Sequence, residues 1–135
     1  MMFTRISKAL ALVCALTGTA AQAGDLDLTC KMDRTKRDWV MPQFSLYQRP
    51  NGTIQILDGA IYKHNDKKPV DVKVRKNTAD EFDFTWRITL PSMQGNQIKL
   101  KYRAVLKKAT GAVSVTAFLL ERNQRSFARG NCAPR

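Results

Sequence analysis

At 135 residues, with 44% apolar and 25% charged positions, the chain has the length and composition of one packed domain and is neither disordered nor collagen-like. Its 23 lysines and arginines against 11 acids give a net charge of +12, which turns any electrostatic partner search toward anions. No stretch approaches the ~20 consecutive apolar residues that a helix needs to cross a bilayer.

The chain opens with Arg5 and Lys8, an apolar run over residues 9–16, Gly18, and then Ala21-Gln22-Ala23. Charge, short apolar core and small-x-small ending predict a secretory signal peptide cut after Ala23, with a single domain over residues 24–135. Lipidation at Cys14 is disfavoured by the bulk of Val13. The alanine-rich signal points to a bacterial periplasm, with an extracellular destination as the alternative. Cleavage would remove Cys14 and leave Cys30 and Cys132. In an exported protein such a pair is expected to form a structural disulfide, and no C-x-x-C suggests redox chemistry.

Between those cysteines the apolar residues alternate with polar ones. Leu26, Leu28, Cys30 and Met32 begin the pattern, and Val70, Val72 and Val74 repeat it. Phe82, Phe84, Trp86, Ile88 and Leu90 follow, then Ile98, Leu100, Tyr102, Ala104 and Leu106, and finally Val113, Val115, Ala117 and Leu119. A period of two predicts strands with one dry and one wet face, hence an all-β antiparallel fold. Eight strands are predicted, over residues 26–32, 43–49, 53–63, 70–76, 82–90, 97–107, 112–120 and 125–130. Gly52 marks a tight hairpin, which also accounts for the Asn51-Gly52-Thr53 acceptor sequence. Asp58-Gly59 predicts a bulge or corner inside the third strand.

The loops set the register. A turn over residues 91–97 places Leu90 opposite Ile98, Ile88 opposite Leu100, Trp86 opposite Tyr102 and Phe84 opposite Ala104. The turn at residues 108–111 then sets Leu106 against Val113, Ala104 against Val115 and Leu100 against Leu119. A meander of this kind predicts a small closed or nearly closed barrel whose first and last strands meet at the disulfide, with a two-sheet sandwich as the alternative. Residues 33–42 are too long for a tight turn. They are expected to pack Trp39 on the core edge, or to arch over one barrel mouth with Trp39 as a plug.

Candidate chemistry is sparse. His64 is the one histidine and sits in a polar loop, short of a zinc ligand set once both cysteines are committed. No nucleophile, nucleotide or metalloprotease motif occurs. His64 with Asp58 or Asp66 could be drawn as a general-base pair, but a solvated loop histidine is the simpler reading. Asp80, Glu81 and Asp83 could be drawn as a paired-carboxylate or calcium cluster, yet the register sets Glu81 opposite Lys107, which points to charge balance. Neither an enzyme, a metal nor a cofactor is expected.

The outward phase of three successive strands carries Lys73 and Arg75, then Arg87, then Lys99, Lys101 and Arg103, with Lys76, Lys107 and Lys108 extending the group. Arg87 falls opposite Lys101, a like-charge pair that costs some tenths of a kcal/mol. This basic face is the predicted site of an exported binding protein, its partner an anionic envelope component or an acidic protein. Lysines that only keep the sheet from self-associating are the plainer alternative. Nucleic acid is not expected, because Phe84, Trp86 and Tyr102 face inward and Tyr47 and Phe118 are the main outward aromatics. Two other functions fit the fold. One is a lipocalin-like carrier of an apolar ligand, which an interior filled with its own side chains would oppose. The other is an inhibitor of an exported hydrolase, using residues 33–42 or 62–70 as the plug.

Overall fold

The computed structural model describes residues 26–33, 39–92 and 94–135. The predicted signal peptide (residues 1–23, with Cys14) and residues 34–38 of the long loop lie outside the described residues.

Nine antiparallel strands form one sheet: β1 (Asp27–Met32), β2 (Gln43–Gln48), β3 (Ile54–Asp58), β4 (Val70–Asp71), β5 (Lys73–Asn77), β6 (Glu81–Pro91), β7 (Gln97–Lys107), β8 (Ala112–Leu119) and β9 (Gln124–Pro134). A short helix, α1 (Gly59–His64), follows β3. The spatial order is β4-β3-β2-β1-β9-β8-β7-β6-β5, so the first and last strands pair in the middle of the sheet and its two ends are consecutive in sequence. The sheet curls into a nearly closed barrel, not a sandwich. Every predicted cross-strand pair between β6 and β7 and between β7 and β8 is present.

Three elements differ from expectation, each for a local reason. The predicted strand 53–63 stops at Asp58, whose Oδ1 accepts a hydrogen bond from the Ile61 backbone N–H at 2.8 Å and starts α1. Of the two readings of the Asp-Gly step, the corner holds and the bulge does not, the corner being made by a helix cap. Ile61 is the residue this helix buries, at 1% exposure. The predicted strand 70–76 is divided at Val72. Its first part pairs with β3 and its second with β6, while the Val72 N–H still bonds the Ile54 carbonyl at 2.9 Å. A single bent segment therefore joins the two ends of the sheet. The last strand runs on to Pro134, which brings Cys132 directly opposite Cys30. The two are joined as a disulfide closing a separation of 102 residues.

The interior is packed along its middle. Phe82 and Phe84 lie 4.8 Å apart, Phe84 and Trp86 5.6 Å, and Trp86 stacks on Tyr102 at 5.0 Å with the planes 4° apart. Phe44 reaches Trp86 from β2. To make room, β9 turns only small residues inward, Ser126, Ala128 and Gly130. One mouth is closed by α1 and the end of the long loop. There Val40 is buried, Trp39 is partly buried against the core, and the Trp39 carbonyl accepts a 2.6 Å hydrogen bond from the Tyr102 hydroxyl. Trp39 thus packs on the core edge, while its neighbour Val40 enters the core. Among the described residues, the opposite mouth remains an open apolar cup.

Gly130 marks a close approach of the closing strands. A Cβ added there would collide with the Lys31 carbonyl and the Met32 backbone, whereas one added at Gly59 would meet nothing. Gly130→Ala is expected to lower stability by about 1–3 kcal/mol, and Gly59→Ala to leave it within about 0.5 kcal/mol. Urea unfolding of the two variants checks this.

Candidate functional site

The outer wall is built from the strand positions left over once the apolar set turns inward, and the pairing aligns them into rows. The first row runs Arg87–Lys101–Phe118–Arg125 across β6, β7, β8 and β9. The next runs Lys73–Thr85–Arg103–Thr116–Phe127, starting on β5. The third is Lys76–Asp83–Val105–Ser114–Arg129. Lys99 stands opposite Thr89 beyond the first row. All six predicted basic residues are exposed or half-buried, and all lie on strands β5 to β7. Arg75 sits where the β5–β6 register slips by one residue between Val74 and Lys76.

The wall divides electrostatically. Toward the open mouth three of its cations are compensated. Arg103 grips Asp83 with two hydrogen bonds, Nε to Oδ1 at 3.2 Å and Nη2 to Oδ2 at 2.8 Å. Lys107 meets Glu81 at 2.6 Å, and Lys76 reaches the same carboxylate at 3.5 Å. Asp83 is buried although it points outward, and the Arg103 hydrogen bond holds its carboxyl below the usual range against the opposing effect of burial. Arg75 and Lys76 add to that pull. The Lys107 hydrogen bond likewise lowers Glu81. The acidic cluster is therefore a counter-charge to the basic sheet, as its placement opposite Lys107 implies, and Arg103 is committed within the wall.

Toward the closed mouth the cations are not compensated. Arg87, Lys99, Lys101 and Arg125 make no ion pair with a carboxylate among the described residues, and neither does Arg129 in the third row. Arg87 and Lys101 face each other directly. Phe127 stands 52% exposed among them, with the Arg129 guanidinium 5.4 Å from its ring centre, and Leu120 is 47% exposed nearby.

Arg125, Phe127 and Arg129 were outside the predicted face. The signal was present but faint. Inward residues Ser126, Ala128 and Gly130 are too small to advertise a strand face, and only the parity set by Cys132 assigns Arg125, Phe127 and Arg129 to the outside.

The remaining candidates do not assemble into chemistry. His64 ends α1 in an exposed position, while Asp58 is buried as the helix cap and Asp66 lies in the exposed turn beyond. Burial raises the Asp58 carboxyl pKa, and its charge adds to the burial that pushes the Tyr102 hydroxyl well above its ordinary value. Among the described residues no three His, Cys, Asp or Glu side chains converge as metal ligands. No protein-family model, curated protein or solved structure matches the chain, so its reading rests on its own residues.

The lowered carboxyls fix the sign of a pH effect. A depressed folded pKa contributes stability above the unfolded value, about 3.9 for an aspartate, and loses it as pH falls through the folded value. Asp83→Asn is expected to lower stability at pH 7 by about 1 kcal/mol, the gap narrowing as acid protonates the native carboxylate. Urea unfolding across an acid pH series would show it. A pH-independent gap would contradict the ion-pair account.

Proposed function

We propose that the protein is an exported, non-catalytic binding protein whose basic wall docks on an anionic envelope surface. The observation that carries this reading is the row Arg87–Lys101–Phe118–Arg125, in which uncompensated cations stand directly side by side. Like charges in register weaken a sheet by some tenths of a kcal/mol, and an anionic partner would offset that cost. The neighbouring acids do not neutralise the row, because Asp83 and Glu81 are engaged by Arg103, Lys107 and Lys76.

Phe127 and Leu120 favour a lipid surface over an acidic protein. Exposed apolar side chains beside cations can enter the headgroup region while each lysine or arginine contributes about 1 kcal/mol of attraction to an anionic leaflet. The disulfide and the absence of a described helix able to cross a membrane are compatible with export, and the signal peptide predicted from the sequence supports a periplasmic destination. The long-range field gathers the partner and multivalent charge holds it, so no shaped pocket is needed.

Cosedimentation with phosphatidylglycerol vesicles over a salt series tests this. Binding is expected at low salt, weak at high salt, and absent on phosphatidylcholine alone. The variant carrying Arg87→Glu, Lys101→Glu and Arg125→Glu is expected to bind at least tenfold more weakly. Equal binding by the variant would remove the wall from the account. Binding to a dissolved polyanion without binding to vesicles would assign the partner to an acidic polymer.

A further inference from the structure

We infer that the open mouth of the barrel is a second binding site, for a single-chain amphiphile with an anionic headgroup. The site is independent of the outer wall, being formed by the inward faces of the strands at the end away from Val40 and α1.

The cup has a volume of about 530 Å³, within the range of small-molecule sites. Leu26, Leu28, Ile54, Phe82, Leu106 and Pro134 line it, with the Cys132 half of the disulfide in its wall. Phe82 packs against Phe84 beneath, the rings tilted and their centres 4.8 Å apart, and both are 2% exposed or less, so the cup has a closed apolar floor. Leu26, Leu28 and Ile54 carry the inward phase of their strands yet stay partly exposed, whereas inward residues at mid-barrel such as Leu46, Ile56 and Ala104 are fully buried. Among the described residues, this apolar lining is laid down but not covered. Ala109, Thr110 and Gly111 bring little bulk to the rim at this end.

Chemistry at the rim selects the ligand. Lys108 is the one ionisable group among the lining residues; Asp80, whose carbonyl accepts the Lys108 backbone N–H, is not among them. Its ammonium donates to the Asn77 side-chain oxygen at 2.6 Å, which holds it at the edge with further protons to offer. An apolar well with a fixed cation at its lip fits an acyl chain inserted tail-first, its carboxylate or other anionic head meeting Lys108. The barrel middle is packed with its own side chains, so the carrier function weighed from the sequence is proposed for this end, the larger of the two apolar mouths.

The test is calorimetric titration of the intact, disulfide-linked protein with decanoate, dodecanoate and tetradecanoate below their micellar concentrations, paired with methyl NMR. Expected results are saturable one-to-one binding, affinity rising up to about fourfold per added methylene until the cup is full, and shifts confined to the methyls of Leu26, Leu28, Ile54 and Leu106. Lys108→Glu is expected to weaken dodecanoate about fivefold and leave dodecanol unchanged. Ala109→Trp, at an exposed lip position, is expected to weaken both without changing the unfolding midpoint. Absence of saturable binding, loss of the chain-length trend, or shifts on the Phe118–Phe127 side would each overturn the assignment.

Discussion

Strand parity is the constraint on which the rest of this molecule depends. From Glu81–Lys107 to Pro91–Gln97, β6 and β7 hold an unbroken antiparallel register. That register buries Phe82, Phe84, Trp86, Ile88, Leu100, Tyr102, Ala104 and Leu106 together. A slip of one residue would turn the whole set to water, forfeiting about 1.5–3 kcal/mol for each large apolar side chain. No surface arrangement of charge competes with a term of that size. The cationic wall is therefore where the core leaves the charged residues, and the repulsion between Arg87 and Lys101 is tolerated because the interior outweighs it.

Closure makes that wall a fixed surface. The chain ends pair with each other through β1 and β9, covalently at Cys30–Cys132, and the sheet ends meet through the bend at Val72. Beyond Thr85, β6 has only β7 as a paired neighbour, and α1 packs against that stretch. The helix therefore covers the edge that the bend exposes. Asp58 serves this corner at a cost, because it caps α1 while buried. Its raised pKa means that its ionisation opposes folding as pH rises through the acid range, the reverse of Asp83. The two ends of the barrel differ accordingly: Val40 and Ile61 pack into one, leaving a smaller pocket of about 330 Å³ beside Trp39, and the other is left as an apolar cup of about 530 Å³.

Legibility in the sequence followed the size of the inward side chains. The strands over residues 82–90, 97–107 and 112–120, with aromatic or branched residues at alternate positions, were placed with their partners, and the terminal cysteines announced the closure, whereas Val70, Val72 and Val74 read as one strand that divides into two pairing apart. The six-residue helix was not legible, since it is shorter than two turns and Asp58-Gly59 serves a cap as well as a bulge. The last strand was undercounted because Ser126, Ala128, Gly130 and Pro134 carry little hydrophobic signal. For the wall, the sequence located Lys73, Arg75, Arg87, Lys99, Lys101 and Arg103 on one side of β5–β7. It could not separate Arg103, which reaches diagonally to Asp83, from Arg87 and Lys101, which have no such neighbour. Charge compensation depends on side-chain reach between strands, and strand periodicity does not encode it.

The account stands on one register producing both the dry interior and the cationic row. Cross-strand backbone nuclear Overhauser contacts test it most directly. Contacts joining Lys101 to Phe118 and Phe118 to Arg125 are predicted, alongside Trp86 to Tyr102. Contacts that pair Lys101 with Ala117, or Phe118 with Ser126, would place the cations in a different register and contradict it.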